Sequence, residues 1–170
     1  MPSATHTPEP TGTLGHSSHG TELQFRRRFP EPPETVWAAL TDTAQLERWI
    51  GRWEGDPASG RVRFLMTAEG QDAPAEECRI LDCTPPRRLT LETSAGQNIW
   101  HLRLALDHAE GTTTLLFAQR TGDEPLGSIG PGWEYYLDRL AAVLADRDPD
   151  QVSWEDYYPT MSRYYEQLED

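Results

Sequence analysis

Residues 99–118 of this 170-residue chain read IWHLRLALDHAEGTTTLLFA, and this stretch decides the fold. From Trp100 to Leu106 every second residue is Trp or Leu, and His101 and Arg103 lie between them. A period of two predicts a β-strand with one buried face. The AEGT stretch is typical of a tight turn, and the alternation resumes after it. The segment therefore predicts two antiparallel strands joined by a hairpin.

The same alternation extends toward the N-terminus. It predicts a strand with Leu23, Phe25 and Arg27 on one face, and further strands from Arg61, over 75–83 and over 88–93. Short connections between successive strands indicate an antiparallel meander. Together with the hairpin, these segments predict a six-stranded antiparallel sheet.

Three segments follow the helical period instead. The stretch PPETVWAAL, residues 32–40, begins with prolines suited to a first helical turn, and a second short helix is predicted from Thr43 to Trp49. Residues 127–146, GSIGPGWEYYLDRLAAVLAD, carry apolar residues at 133, 137, 140 and 144 and predict a helix of about four turns. The chain is therefore expected to have an α+β fold, with two short helices between the first and second strands.

The composition divides the chain into three parts. Residues 1–21 contain few large apolar side chains and are expected to form a disordered N-terminal arm. Residues 22–147 form the predicted domain. The segment 148–170 is acidic and aromatic, and we expect Trp154, Tyr158 and Met161 to pack onto the domain or onto a second subunit. A homodimer stays an open alternative that no specific feature of the sequence supports.

The charge pattern restricts the partners. The chain has 28 acidic residues, 15 arginines and no lysine, for a formal net charge of −13. This charge disfavours nucleic acid and anionic membrane surfaces as partners. The first 20 residues lack the pattern of a signal peptide, so a cytoplasmic location is expected. The run Arg26–Arg28 is expected to pair with acids of the C-terminal segment.

Several stretches resemble a known family. The most specific are the P-x-x-x-V-W-x-A-L-T pattern from Pro32 and the G-W-x-x-x-L-x-x-L pattern from Gly132. Supporting stretches are PPETVWAALTDTAQLERWI, GRVRF, ILDCTPPRRLTL and HLRLALDHAEGTTTLLFAQ. Over residues 22–147 the chain resembles the bacterial homologues of the activator of the heat-shock-protein-ninety ATPase. That family belongs to the START-like (SRPBCC) superfamily, which includes ligand-binding, cyclase and co-chaperone proteins.

The resemblance implies a helix-grip fold, in which a curved sheet wraps the long C-terminal helix and leaves an apolar cavity between them. One helix covers only part of a curved sheet face, which is an independent reason to expect a cavity. The residues predicted to bind a ligand there lie on the inner sheet face, the long helix and the two short helices. They are Trp37, Trp49, Phe64, Met66, Cys78, Ile80, Leu91, Trp100, Leu102, Leu104, Leu115, Phe117, Gln119, Trp133, Tyr136, Leu137 and Leu140.

Catalytic and metal-binding patterns are absent from the sequence. There is no C-x-x-C, H-E-x-x-H, G-x-G-x-x-G or P-loop pattern, so no metal and no cofactor are expected. Cys78 and Cys83 lie five apart in one predicted strand, which points them to opposite faces and argues against a disulfide. His101 and Arg103 are expected on the outer face. Glu76 or Asp82 at the cavity rim could act as a base, although solvation at the sheet edge is the simpler expectation.

These observations favour a non-enzymatic domain that binds a small hydrophobic or aromatic molecule in the cavity. Two alternatives stay open. One is a co-chaperone-like or stress-associated interaction module, although the chain is not expected to carry the additional N-terminal domain of the family's namesake. The other is a cyclase or aromatase that uses the same cavity, with Tyr136 and Asp82 as the pair that could act in it.

Overall fold

The sheet organises the molecule. The computed structural model describes residues 8–18, 20–70, 74–95 and 97–169. They form an eight-stranded, curved and unclosed antiparallel sheet in the order β1-β2-β8-β7-β6-β5-β4-β3. The strands are β1 (Thr13–Ser17), β2 (Gly20–Phe29), β3 (Arg52–Glu54), β4 (Arg61–Leu65), β5 (Ala75–Thr84), β6 (Arg88–Ala95), β7 (Asn98–Ala109) and β8 (Thr112–Arg120).

Four helices within the described part of the chain complete the fold. Two short helices, α1 (Pro33–Thr41) and α2 (Thr43–Leu46), follow β2. The long helix α3 (Leu126–Leu144) and the short α4 (Ser162–Leu168) follow β8, and 3₁₀ turns lie at 57–59, 67–69, 149–151 and 154–156. The α+β class, the meander and the helix-grip arrangement predicted from the sequence are confirmed.

Local chemistry explains where the short helices begin. Pro33 occupies the first turn of α1, where its missing N–H costs no helical hydrogen bond. The carboxylate of Asp42 caps α2 by accepting a hydrogen bond from the backbone N–H of Ala44 at 3.0 Å. An aspartate between two short helices therefore sets their boundary.

The long helix contains a proline that another segment compensates. Pro131 has no N–H to donate to the carbonyl of Gly127 one turn earlier. The hydroxyl of Ser162, at the start of α4, donates to that carbonyl at 2.8 Å. The C-terminal segment thus supplies a hydrogen bond to a backbone acceptor that Pro131 cannot pair.

Two strands were not predicted. The range 1–21, expected to be a disordered arm, includes β1, which pairs with β2 from Thr13 opposite Gln24 to Ser17 opposite Gly20. Residues 1–7 of that range lie outside the described residues. The other strand, β3, pairs with β4 inside a stretch whose composition suggested a loop. Neither strand shows apolar alternation, because each is held mainly by backbone pairing at a sheet edge.

A register shift in β5 changes which residues face inward. The pairing with β6 shifts between Ile80 and Asp82, so Leu81 is an extra residue. Cys83 consequently lies on the same inner side as Cys78, and the expected opposite orientation of the two cysteines is wrong. Both thiols are free. Asp82 instead lies 3.7 Å from the guanidinium Nε of Arg88.

The C-terminal segment packs on α3 through three buried side chains, Tyr157, Met161 and Tyr165. Met161 was one of the expected contacts. Trp154 also contacts α3, with its ring centroid 5.3 Å from that of Tyr135. Tyr158 stacks on Trp154 at a centroid distance of 5.6 Å, and the two side chains are 42% and 41% exposed.

Arg27 pairs with α3 rather than with the C-terminal segment. Its Nη2 lies 2.7 Å from the Glu134 carboxylate and 3.6 Å from that of Asp138. The inward orientation follows from the alternation in β2, which places Arg27 on the face of Leu23 and Phe25.

We predict that Gly130→Ala destabilises the protein by about 1–3 kcal/mol, the usual cost of overpacking. A methyl group at residue 130 would overlap the buried ring of Tyr165. Gly132→Ala is the matched control, because among the described residues no atom beyond its chain neighbours and the nearby helix backbone lies within 4 Å of the methyl position. This variant should stabilise α3 by about 0.5–1 kcal/mol. Urea unfolding of both variants tests this, and equal stability of the two would contradict the close packing of α4 on α3.

A second prediction concerns Glu22, whose carboxylate is buried on the outer sheet face and accepts two hydrogen bonds from Arg103, at 2.7 and 3.1 Å. Arg103 holds the pKa of Glu22 below its ordinary value of 4.5. The unfolded chain therefore binds this proton more readily, and the stabilisation is lost as pH falls from about 4.5 through the lower folded pKa.

We expect Glu22→Gln to lower the free energy of unfolding at pH 7 by about 1.5–3 kcal/mol, as for other charged hydrogen bonds. The difference from the unaltered protein should shrink as pH falls below 4.5, which chemical denaturation at several pH values measures. A difference that grows on acidification would refute the sign of this linkage.

Candidate functional site

An apolar cavity of about 660 Å³ lies between the inner face of β3–β8 and the helices α1 and α2. From α3, Trp133 reaches it. The predicted ligand-binding residues that line it are Trp37, Trp49, Phe64, Met66, Cys78, Ile80, Leu91, Trp100, Leu102, Leu104, Phe117 and Trp133.

The other five predicted residues lie outside this lining. Leu115, Leu137 and Leu140 are at most 1% exposed and form the core between α3 and the sheet. Gln119 is buried behind Trp133, and Tyr136 lines a second cavity. The reason is that α3 contacts β2 and α1, so most of its apolar face is used in packing.

Sequence reasoning missed two notable parts of the lining. Trp53 comes from β3, an edge strand with no apolar alternation. Cys83 reaches the cavity because of the extra residue in β5. For Trp53, the one signal in the sequence was a tryptophan between Arg52 and Glu54. Nothing local in the sequence marks Cys83 as a cavity residue.

Hydrogen bonds orient four of the tryptophans in the lining. The indole N–H groups of Trp49 and Trp53 donate to the backbone carbonyls of Ala39 and Thr41, at 2.9 and 2.8 Å. Those of Trp100 and Trp133 donate to the side chains of Glu124 and Gln119. Since a buried indole N–H is costly to leave unpaired, these bonds hold each ring in one orientation.

The inner end of the cavity is a cluster of aromatic rings. Trp133 lies 4.4 Å from Phe117 and 6.0 Å from Trp100, measured between ring centroids. Distances and tilts of this kind are those that aromatic pairs prefer. The cluster gives the cavity a rigid wall.

A second cavity, of about 500 Å³, lies on the other side of that wall. Trp100, Trp133 and Met66 line both cavities and therefore separate them. Tyr135, Tyr136 and the partly exposed Trp154 complete the second one.

Polar groups are few in the larger cavity. Glu76 is the one charged side chain among the described residues of its lining, and the Ser94 hydroxyl donates to its Oε2 at 2.8 Å. Burial raises the pKa of the Cys78 thiol to about 11, so this thiol is protonated and weakly nucleophilic at neutral pH.

The outer face holds the other titratable residues considered from the sequence. His101 lies 3.3 Å from the Glu92 carboxylate, and Arg103 binds Glu22. Within the described part of the chain, no group of three or more His, Cys, Asp or Glu residues could hold a metal ion. The helices of the described residues include none that is long and apolar enough to cross a membrane.

The curved sheet and the long helix that it grips define a START-like helix-grip domain. The expected cavity lies mainly between the sheet and the two short helices, rather than between the sheet and the long helix. Within this class, residues 30–145 match the model of the family "Activator of Hsp90 ATPase homolog 1-like protein". The chain belongs to this family, and the resemblance inferred from its sequence is confirmed. It matches no curated protein sequence.

Solved structures share the architecture. The crystal structure of CalU16 from Micromonospora echinospora has a TM-score of 0.67 and 26% identity, covering 94% of this chain and 96% of that chain. The solution structure of the protein encoded by gene BPP1335 from Bordetella parapertussis has a TM-score of 0.66 and 24% identity, with coverages of 98% and 95%.

A third structure, that of DynU16, a protein in the dynemicin biosynthetic locus, has a TM-score of 0.59 and 18% identity over 81% of this chain and 50% of that one. The last two structures are 24% and 18% identical in sequence to this chain, so their similarity shows the fold alone.

We predict that the two cysteines differ sharply in reactivity. Cys83 is exposed, whereas Cys78 is 5% exposed and its pKa is raised to about 11. Partial burial and the charge of Asp82 raise the pKa of Cys83 as well, so the difference in reactivity rests mainly on exposure. A thiol-specific reagent such as Ellman's reagent should therefore modify the Cys83 thiol in a fast kinetic phase at pH 8. Cys83→Ser should remove this fast phase. In denaturant both thiols should react. A fast phase that survives Cys83→Ser but disappears in Cys78→Ser would contradict the burial of Cys78 and the exposure of Cys83.

Proposed function

We propose that this protein binds a small hydrophobic or aromatic molecule in the larger cavity. The observation that carries the proposal is a volume of about 660 Å³ with a lining made almost entirely of apolar side chains. Binding sites for small molecules commonly have volumes of about 300–1,000 Å³ and an apolar lining with few polar groups.

The arrangement of the tryptophans supports the same conclusion. The indole N–H groups of four of them donate hydrogen bonds to acceptors within the protein; these four are Trp49, Trp53, Trp100 and Trp133. The groups presented to an occupant are therefore mainly ring faces and aliphatic side chains. Such walls lack dispersion contacts when the cavity is empty and regain them from an apolar occupant.

The alternatives from the sequence have less support. A cyclase needs titratable groups that converge on the cavity, and of the predicted pair Asp82 faces Arg88 while Tyr136 lies behind the aromatic wall. A co-chaperone-like interaction module and a homodimer stay predictions. The cavity itself favours ligand binding.

The test is a titration with N-phenyl-1-naphthylamine, an uncharged aromatic probe that fluoresces strongly in apolar surroundings. We expect saturable binding at one site per chain. Ile80→Phe places a larger side chain into the cavity and should weaken binding by about tenfold or more, which corresponds to about 1.4 kcal/mol.

The matched control is Leu81→Phe, the neighbouring position on the same strand, where the side chain is 49% exposed. This variant should bind the probe like the unaltered protein. Non-saturable binding, or an equal loss in both variants, would contradict a ligand site in this cavity.

A further inference from the structure

The described lining of the larger cavity carries negative charge and no positive charge. Among the described residues that line it, Glu76 is charged and no arginine or histidine is present. The chain contains no lysine at all. An occupant of this cavity therefore meets a negative charge with no positive charge beside it in the lining.

The position of Glu76 directs its carboxylate into the cavity. It lies in β5, opposite Phe64 of β4, whose ring also lines the cavity. The Ser94 hydroxyl donates to Oε2 at 2.8 Å, and Ser94 in turn accepts a hydrogen bond from the backbone N–H of Glu77 at 3.1 Å. These contacts orient the carboxylate, and no described residue donates a hydrogen bond to its Oε1.

The neighbouring glutamates are different. Glu77 points outward and lies 3.5 Å from Nη1 of Arg61, while Glu54 and Glu92 also pair with arginines. Within the described residues, no ion pair includes Glu76. These three outward glutamates are therefore paired with arginines, whereas the inward Glu76 has no ionic partner among the described residues.

Physical chemistry then restricts the occupant. An apolar wall strengthens electrostatic interactions because it screens them poorly, so an anionic group near Glu76 would be repelled. A protonated amine could donate a hydrogen bond to Oε1, and a charged hydrogen bond of this kind is stronger than a neutral one. The faces of aromatic rings, including Phe64 beside Glu76, also attract cations.

We propose that the cavity is selective for a hydrophobic molecule that carries a protonated amine, with Glu76 as its anchor, and that it rejects carboxylates and phosphates of similar shape. This inference rests on the proposed function, because it requires that the cavity binds a ligand. It adds the chemical class: a cationic amphiphile with an aromatic or aliphatic body, not a fatty acid or a phospholipid.

The experiment compares three probes with the same ring system: 2-(2-naphthyl)ethylamine, 2-ethylnaphthalene and 2-naphthylacetic acid. Isothermal titration calorimetry at pH 7, or competition with N-phenyl-1-naphthylamine, measures each affinity. The amine should bind about tenfold or more tightly than the neutral probe, as expected for a hydrogen bond between charged groups. The acid should bind more weakly than the neutral probe.

Two glutamine variants identify the group responsible. Glu76→Gln should remove the preference for the amine and leave the affinity of 2-ethylnaphthalene nearly unchanged. Glu77→Gln changes the net charge by the same amount on the adjacent residue, outside the cavity, and should keep the preference. Retention of the amine preference in Glu76→Gln, or its equal loss in both variants, would overturn the assignment to Glu76.

The outcomes separate the two proposals. If none of the three probes nor N-phenyl-1-naphthylamine binds, the proposed function itself fails. If the three naphthalenes bind with equal affinity, or the acid binds best, ligand binding stands and the selectivity for amines is refuted. The ranking of probes on the unaltered protein does not depend on how well either variant folds.

Discussion

The carboxylate of Glu134 lies in the middle of α3 and is 1% exposed, so it must be paired within the protein. It accepts hydrogen bonds from the guanidinium of Arg27 in β2, from the backbone and hydroxyl of Thr11, and from the phenol of Tyr165 in α4. Removing one partner from a buried charge commonly costs about 3–5 kcal/mol. The position of α3 against β2, the N-terminal segment and α4 therefore depends on this one group.

That position of α3 explains the cavity. Because the Arg27–Glu134 pair holds the long helix over the β2 side of the sheet, the helix covers only part of the concave face. Trp133 is the residue by which α3 reaches the described lining over β3–β7, and α1 and α2 cover this part of the inner surface instead. Trp133 and Trp100 form the boundary, fixed by hydrogen bonds to Gln119 and Glu124. Among the described residues that line this cavity, Glu76 is the one that carries a charge.

Local patterns predicted the inner face well and the edges poorly. The alternation of Trp100, Leu102 and Leu104 identified three cavity residues directly, because a strand with one apolar face has a period of two. Trp53 was not predicted as a cavity residue because an edge strand of three residues shows no measurable hydrophobic period. For Leu137, the helical pattern shows that a residue is buried but does not show whether sheet side chains or empty space lie opposite.

The amino-acid sequence alone determined the class of the protein: a strongly alternating meander, two short helices and a long C-terminal helix in the order typical of a START-like domain. The tertiary structure decided which apolar residues are core and which face a cavity, since this depends on the offset of α3 imposed by Glu134. It also decided the orientation of Cys83, because a single extra residue in β5 reverses the faces of all that follows in the strand. Pairing across strands and helices sets both features, and no local pattern encodes it.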